Sequence, residues 1–124
     1  MKLLNKTLIA LALLFSTIVL AQETRLLRQP TMHANQVAFA YGGDLWTTNL
    51  ASNITTRLTS TPALESNPHF SPDGKWIAFT SNRSGSSAVY IVSVDGGEAK
   101  RLTWHTSADV AKGWTNDGKH VLFA

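Results

Sequence analysis

Four histidines, eight carboxylates and a scatter of serines are the residues of this sequence that could do chemistry. A metal centre needs ligands that converge, and sequence usually announces it by pairs a few residues apart on one element. His33, His69, His105 and His120 lie far apart, and none forms a close His/Asp/Glu ligand pair on one element. In the repeat frame set out below, His120 takes the place of Trp76, which reads as packing or surface. Nucleophilic catalysis would need a serine on a strained turn beside a base, yet no serine sits in a Gly-x-Ser-x-Gly elbow, and Gly85 is the only glycine beside a serine. The glycine-rich pieces Tyr41-Gly42-Gly43-Asp44 and Asp95-Gly96-Gly97-Glu98 lack the Gly-x-x-x-x-Gly-Lys-Ser/Thr spacing of a phosphate loop and read as hairpin turns. Asp73, Asp95 and Asp117 recur at turns, where an Asx side chain bonds local backbone, so calcium binding and acid–base work are the poorer readings. The sequence therefore assigns no catalytic residue, no cofactor-binding residue, no metal ligand and no cofactor.

Two further sets have double readings. Asn53-Ile54-Thr55 and Asn82-Arg83-Ser84 fit the glycosylation sequon, which matters only in a eukaryotic secretory pathway. Trp46, Trp76, Trp104 and Trp114 could line a peptide-binding surface or pack between sheets. Packing is expected of Trp46 and Trp114, and Trp76 and Trp104 stay open.

The elements that would position these residues follow from an internal repeat. A shift of 44 residues lays Arg57-Leu58-Thr59 on Arg101-Leu102-Thr103, Glu65 on Asp109, Phe70 on Trp114, and Ser71-Pro72-Asp73-Gly74-Lys75 on Thr115-Asn116-Asp117-Gly118-Lys119. Val37-Ala38-Phe39 matches Ile77-Ala78-Phe79 at a shift of 40, whereas Leu45-Trp46 matches Val89-Tyr90 at 44. The four extra residues fall in Asn82-Arg83-Ser84-Gly85-Ser86-Ser87, a polar, glycine-containing stretch expected to be a surface loop.

The second copy divides into four expected strands: His69-Phe70-Ser71, Trp76 to Ser81, Ala88 to Val94, and Glu98 to Thr103, the last an outer strand with Lys100 and Arg101 facing solvent. Pro72-Asp73-Gly74 and Asp95-Gly96-Gly97 supply the turns. Val89 and Ile91 alternate with Tyr90 and Val92, so this meander is apolar on both faces and needs a sheet on each side. Four-stranded units recurring every 40 to 45 residues are the signature of propeller blades. The expected fold is an all-β, partial β-propeller of four-stranded antiparallel blades at about 29–60 and 67–104, with a third beginning at 109–124. A ring needs about four blades or more, so the sequence is expected to be an N-terminal fragment of a longer protein.

Composition narrows the setting. With no cysteine among 124 residues, no disulfide is available to staple a small fold. Lys2 and Lys6 precede an apolar run from Leu8 to Ala21, a run shorter than the roughly 20 residues of a membrane span. Residues 1–21 read as a signal peptide cleaved after Ala21, leaving 22–124 without a membrane span and placing the protein in the periplasm or outside the cell. Loss of Lys2 and Lys6 takes the basic residues from 11 to 9 against 8 acidic ones, a net of +1. The only adjacent basic pair left is Lys100-Arg101, which argues against nucleic acid as a partner.

Two segments carry a family likeness. NPHFSPDGKWIAF, residues 67 to 79, resembles the repeat shared by TolB-like propellers, tricorn proteases and the propellers of prolyl-oligopeptidase-type peptidases. RLTWHTSADVAKGWTNDGKHVLFA, residues 101 to 124, together with AFAYGGDLWTTNL, residues 38 to 50, looks like the first propeller of tricorn-type proteases. Thr106 departs from that pattern where proline would follow the histidine, and Asn116 replaces the usual turn proline. The resemblance implies a large, oligomeric, exported bacterial serine protease with two propellers, a PDZ-like domain and a C-terminal catalytic core, none of which core lies in these residues. It also implies that this propeller handles or gates peptide or unfolded protein substrates. Two other readings fit the same repeat: a TolB-like periplasmic interaction module, and the propeller of an exported amidohydrolase or oligopeptidase.

Overall fold

A computed structural model describes residues 27–124; the expected signal peptide lies outside them. The described chain is all strand and turn, as the repeat requires. β1 (Arg28–His33), β2 (Gln36–Tyr41), β3 (Asp44–Asn49) and β4 (Ile54–Arg57) form one antiparallel meander. β5 (Glu65–Phe70), β6 (Trp76–Ser84), β7 (Ser86–Ser93) and β8 (Lys100–Arg101) form a second, and β9 (Ala111–Trp114) pairs with β10 (Val121–Phe123). The first strands β1, β5 and β9 approach one another from sheet to sheet, the arrangement of successive propeller blades.

Both faces of the second sheet are covered, as its alternation demands. Ile77, Phe79, Val89 and Val92 are fully buried, and so is Ala78 on the opposite face of β6. Ala38, Ala40, Leu45 and Leu58 of the first sheet join Ile77, Phe79, Tyr90 and Val92 of the second in one continuous core, with the Phe79 and Tyr90 rings stacked 5.8 Å apart. Burying a side chain the size of Phe79 stabilises by about 1.5–3 kcal/mol, so the contact between sheets, more than the ladder within one, holds each blade in place.

The turns repeat at atomic detail. Ser71 Oγ donates to Asp73 Oδ1 at 2.6 Å, the Lys75 N–H donates to the same oxygen at 3.0 Å, and Ser71 Oγ accepts the Trp76 N–H at 3.0 Å. In the next blade Thr115, Asp117, Lys119 and His120 make the same three bonds at 2.6, 3.0 and 3.1 Å. Asn116 in the proline position leaves this network intact, because none of the bonds uses that residue.

Three expectations change. β5 begins at Glu65, four residues before the expected strand, because a bulge lets the chain pass Pro68: Asn67 takes a φ of 53° and the register shifts between Ser66 and His69. β1 carries the matching bulge at Gln29, with a φ of 54°. The stretch 82–87 is a hairpin extension rather than a loop, since Ser84 pairs with Ser86 around Gly85. Strand β8 is reduced to Lys100–Arg101, and only Lys100 is open to solvent; Arg101 is half-buried, its Nε donating to the Thr103 carbonyl.

Junctions between strands and blades also recur. Thr59 Oγ1 accepts the Leu45 N–H at 2.9 Å, and Thr103 Oγ1 accepts the Val89 N–H at 3.0 Å. The Glu65 N–H donates to the Gly43 carbonyl and the Asp109 N–H to the Ser87 carbonyl, both at 2.9 Å. The two hydroxyl bonds explain why threonine recurs at a spacing of 44, Thr59 on Thr103.

Candidate functional site

The acids that begin β5 and precede β9 are buried, and each recruits partners from its own blade. Glu65 is 3% exposed. Its Oε1 accepts from the Thr61 hydroxyl at 3.1 Å and from the Arg83 guanidinium, with Ser81 Oγ at 3.5 Å, while Oε2 is buried without a partner. Arg83 reaches that carboxylate because the extended β6–β7 hairpin carries it past the end of the core, where its guanidinium lies 4.8 Å from the Tyr90 ring centre and 5.5 Å from that of Phe79. Asp44, at the end of the β2–β3 hairpin, is likewise buried and accepts from Arg57 Nη2 at 2.5 Å and Nε at 3.1 Å. Asp109 takes His105 Nδ1 at 2.8 Å, four residues back in the loop before β9.

Sequence reasoning saw no His/Asp pair on one element, and the structure makes one of His105 and Asp109 within a loop; their spacing of four was the available signal. The pairing of Glu65 with Arg83 escaped notice because 82–87 read as a loop. His33 Nε2 contacts the Pro72 carbonyl at 3.0 Å. Burial holds the His69 imidazole below its ordinary pKa, a hydrogen bond to the Ala111 backbone opposes that shift and Lys112 adds to it. His120 lies on the β9–β10 turn. Among the described residues no serine hydroxyl is hydrogen-bonded to an imidazole. Trp46 and Trp114 are half-buried, with Nε1 bonds to the carbonyls of Tyr41 at 3.3 Å and His69 at 3.0 Å. Trp76 and Trp104 face solvent, 42% and 68% exposed, and the Arg101 guanidinium lies 5.8 Å from the Trp104 ring centre.

Among the described residues three clefts are found where the sheets and their loops meet, one of them, about 550 Å³, between β3–β4 and the Asp95-Gly96-Gly97 turn. Another, about 860 Å³, opens between the first two blades, lined by Arg28, Gln29, Tyr41, Gly43, Leu64 and Ser66 with Glu65 at its wall. Two bonds join the blades beside it: the Glu65 N–H to the Gly43 carbonyl, and the Asn67 N–H to Gln29 Oε1 at 2.7 Å. The third, about 300 Å³, is apolar and lies between β7 and β10, against Val89, Ile91, Leu102 and Phe123. The cleft between the first two blades is open, placed beside the first strands and lined by apolar groups (Ala40, Leu64) as well as polar ones (Arg28, Gln29, Ser66), so it can hold a peptide segment by packing and by hydrogen bonds.

Comparison with known proteins places this geometry. The model of the tricorn protease N-terminal β-propeller domain matches residues 24–124. Tricorn protease homolog 1 of Streptomyces coelicolor is 38% identical over 94 residues, covering 75% of this chain and 9% of that protein. The crystal structure of the tricorn protease superposes with a TM-score of 0.66 at 28% identity, over 76% of this chain and 10% of that one. TolB from Acinetobacter baumannii gives a TM-score of 0.68 at 24% identity, over 77% of this chain and 26% of that one, a likeness of fold. The chain thus spans about a tenth of the length of the tricorn relatives it matches. Repeat, blade geometry and sequence match agree that the chain belongs to the tricorn protease N-terminal β-propeller family.

Proposed function

We propose that these residues form the non-catalytic N-terminal propeller portion of an exported tricorn-like serine protease, where they handle or gate peptide substrates for a catalytic core outside this chain. The observation that carries the reading is the family match over 24–124, joined to an open cleft of mixed polar and apolar lining beside the first strands of adjacent blades. The apolar run from Leu8 to Ala21 supports export to the periplasm or beyond, and oligomerisation of the whole protein is part of the same reading.

Two measurements test it. N-terminal sequencing of the exported protein is expected to begin at Gln22. In the intact protein, a bulky substitution at the cleft rim, Leu64→Trp, is expected to slow digestion of an unfolded protein while leaving hydrolysis of a short blocked peptide unchanged, since Leu64 is 67% exposed and its replacement spares the core. Equal effects on both substrates, or absence of peptidase activity in the intact protein, would overturn the gating role.

A further inference from the structure

We propose that the cleft between the first two blades is a carboxylate-binding subsite, selecting peptides that carry an acidic group, with Arg28 as its principal anchor. The inference deepens the peptide-handling role and rests on it.

Charge at the cleft decides the sign of the ligand. Glu65 is buried and ion-paired with Arg83, so the two cancel at the wall. Arg28, exposed at the start of β1, has no ion pair among the described residues and leaves one positive charge at the mouth. A guanidinium, with its planar fork of donors, is the side chain best matched to a carboxylate.

The uncharged lining groups add donors. Gln29 spends its Oε1 on the Asn67 N–H at 2.7 Å, which fixes the amide and leaves its Nε2 hydrogens uncommitted among the described residues. Gly42 and Gly43 form the β2–β3 turn with φ of 61° and 88°, and neither N–H has an acceptor among the described residues. Ser66 adds a hydroxyl. Glu65 Oε2, the buried acceptor at the wall without a partner, is shut off from solvent. A carboxylate entering this cleft meets a guanidinium, an oriented amide and turn N–H groups, whereas an ammonium is repelled by that guanidinium.

The test is calorimetric titration of the intact protein with three peptides of one apolar sequence. One carries a single internal glutamate and blocked ends, one carries glutamine there with a free C-terminal carboxylate, and one carries glutamine with both ends blocked. The first two are expected to bind about tenfold or more tighter than the third, the scale of one charge-assisted hydrogen bond. Their order tells whether a side chain or a chain end is preferred, and either order supports the subsite. Arg28→Ala is expected to remove the advantage and Arg28→Glu to invert it toward a lysine-bearing peptide; both sit at an exposed position that the core does not use. Equal binding of all three peptides would sink the carboxylate preference and spare peptide handling, whereas binding of none would overturn both.

Discussion

The His33 imidazole occupies the space that a Cβ on Gly74 would need, its ring atoms lying where that carbon would be built. The β1–β2 turn of one blade is thereby seated on the β5–β6 hairpin of the next, with His33 Nε2 at 3.0 Å from the Pro72 carbonyl. Gly74 also has a φ of 72°, so two separate reasons forbid a side chain there. Gly74→Ala is expected to cost about 1–3 kcal/mol in chemical denaturation. In the double variant with His33→Ala the steric part is recovered and the conformational part remains. Gly42→Ala, with a φ of 61° and open space around it, carries only the conformational part and should be the milder change.

Arg83 neutralises a carboxylate that has no access to water. Arg83→Met strands Glu65 and is expected to destabilise by about 3–5 kcal/mol, the scale of breaking a buried pair. Adding Glu65→Gln should restore part of that loss, because the uncompensated charge goes with it. A double variant as unstable as the single one would show that the pair is not the source of the effect.

The two threonine bonds offer a matched comparison. Thr59→Val and Thr103→Val each leave a buried N–H, of Leu45 and of Val89, without its acceptor. Each is expected to lower the unfolding free energy by about 1–3 kcal/mol, and the serine variants, which keep the oxygen, by less. Equilibrium unfolding in urea reads both.

Acid acts through His69 first. Burial depresses its folded-state pKa below 6.5, so the unfolded chain takes up a proton before the folded one does. Stability is then complete above about pH 6.5 and is lost as pH falls from there toward the depressed folded value. His69→Gln should flatten that stretch of the stability curve. Asp73 and Asp117 behave in the opposite sense. Hydrogen bonds from Ser71 and Thr115 respectively, then from the Lys75 and Lys119 backbone, hold each below 3.8, so their contribution is present above that value and vanishes as pH drops through the folded ones. NMR titration of the three side chains checks the directions separately.

Most of the blade was legible because its turns are written in local chemistry: Ser71-Pro72-Asp73-Gly74 specifies its hairpin within five residues, and Thr115-Asn116-Asp117-Gly118 does so again. The alternation in β7 also declared both faces buried. What resisted reading was non-local. Asn67 turns the chain through a left-handed φ that no nearby glycine advertises, and its N–H is satisfied by Gln29 from another sheet. The hairpin at 82–87 looked like a loop by composition, and its purpose is visible only once Arg83 meets Glu65. The cleft could not be read at all, since Arg28 and Glu65 come together through sheet packing and share no motif.

The crossing bonds from Glu65 to Gly43 and from Asp109 to Ser87 have equal length and the same 22-residue reach backward along the chain. Each blade is thus fastened to its predecessor by an identical coupling, like one link to the next in a chain. Such an object can grow by tandem duplication without redesign: a copied segment from Glu65 to Ala108 arrives with a donor for the link behind it and an acceptor for the link ahead. Lineages descended from it are free to change the number of links while keeping the rule that joins them.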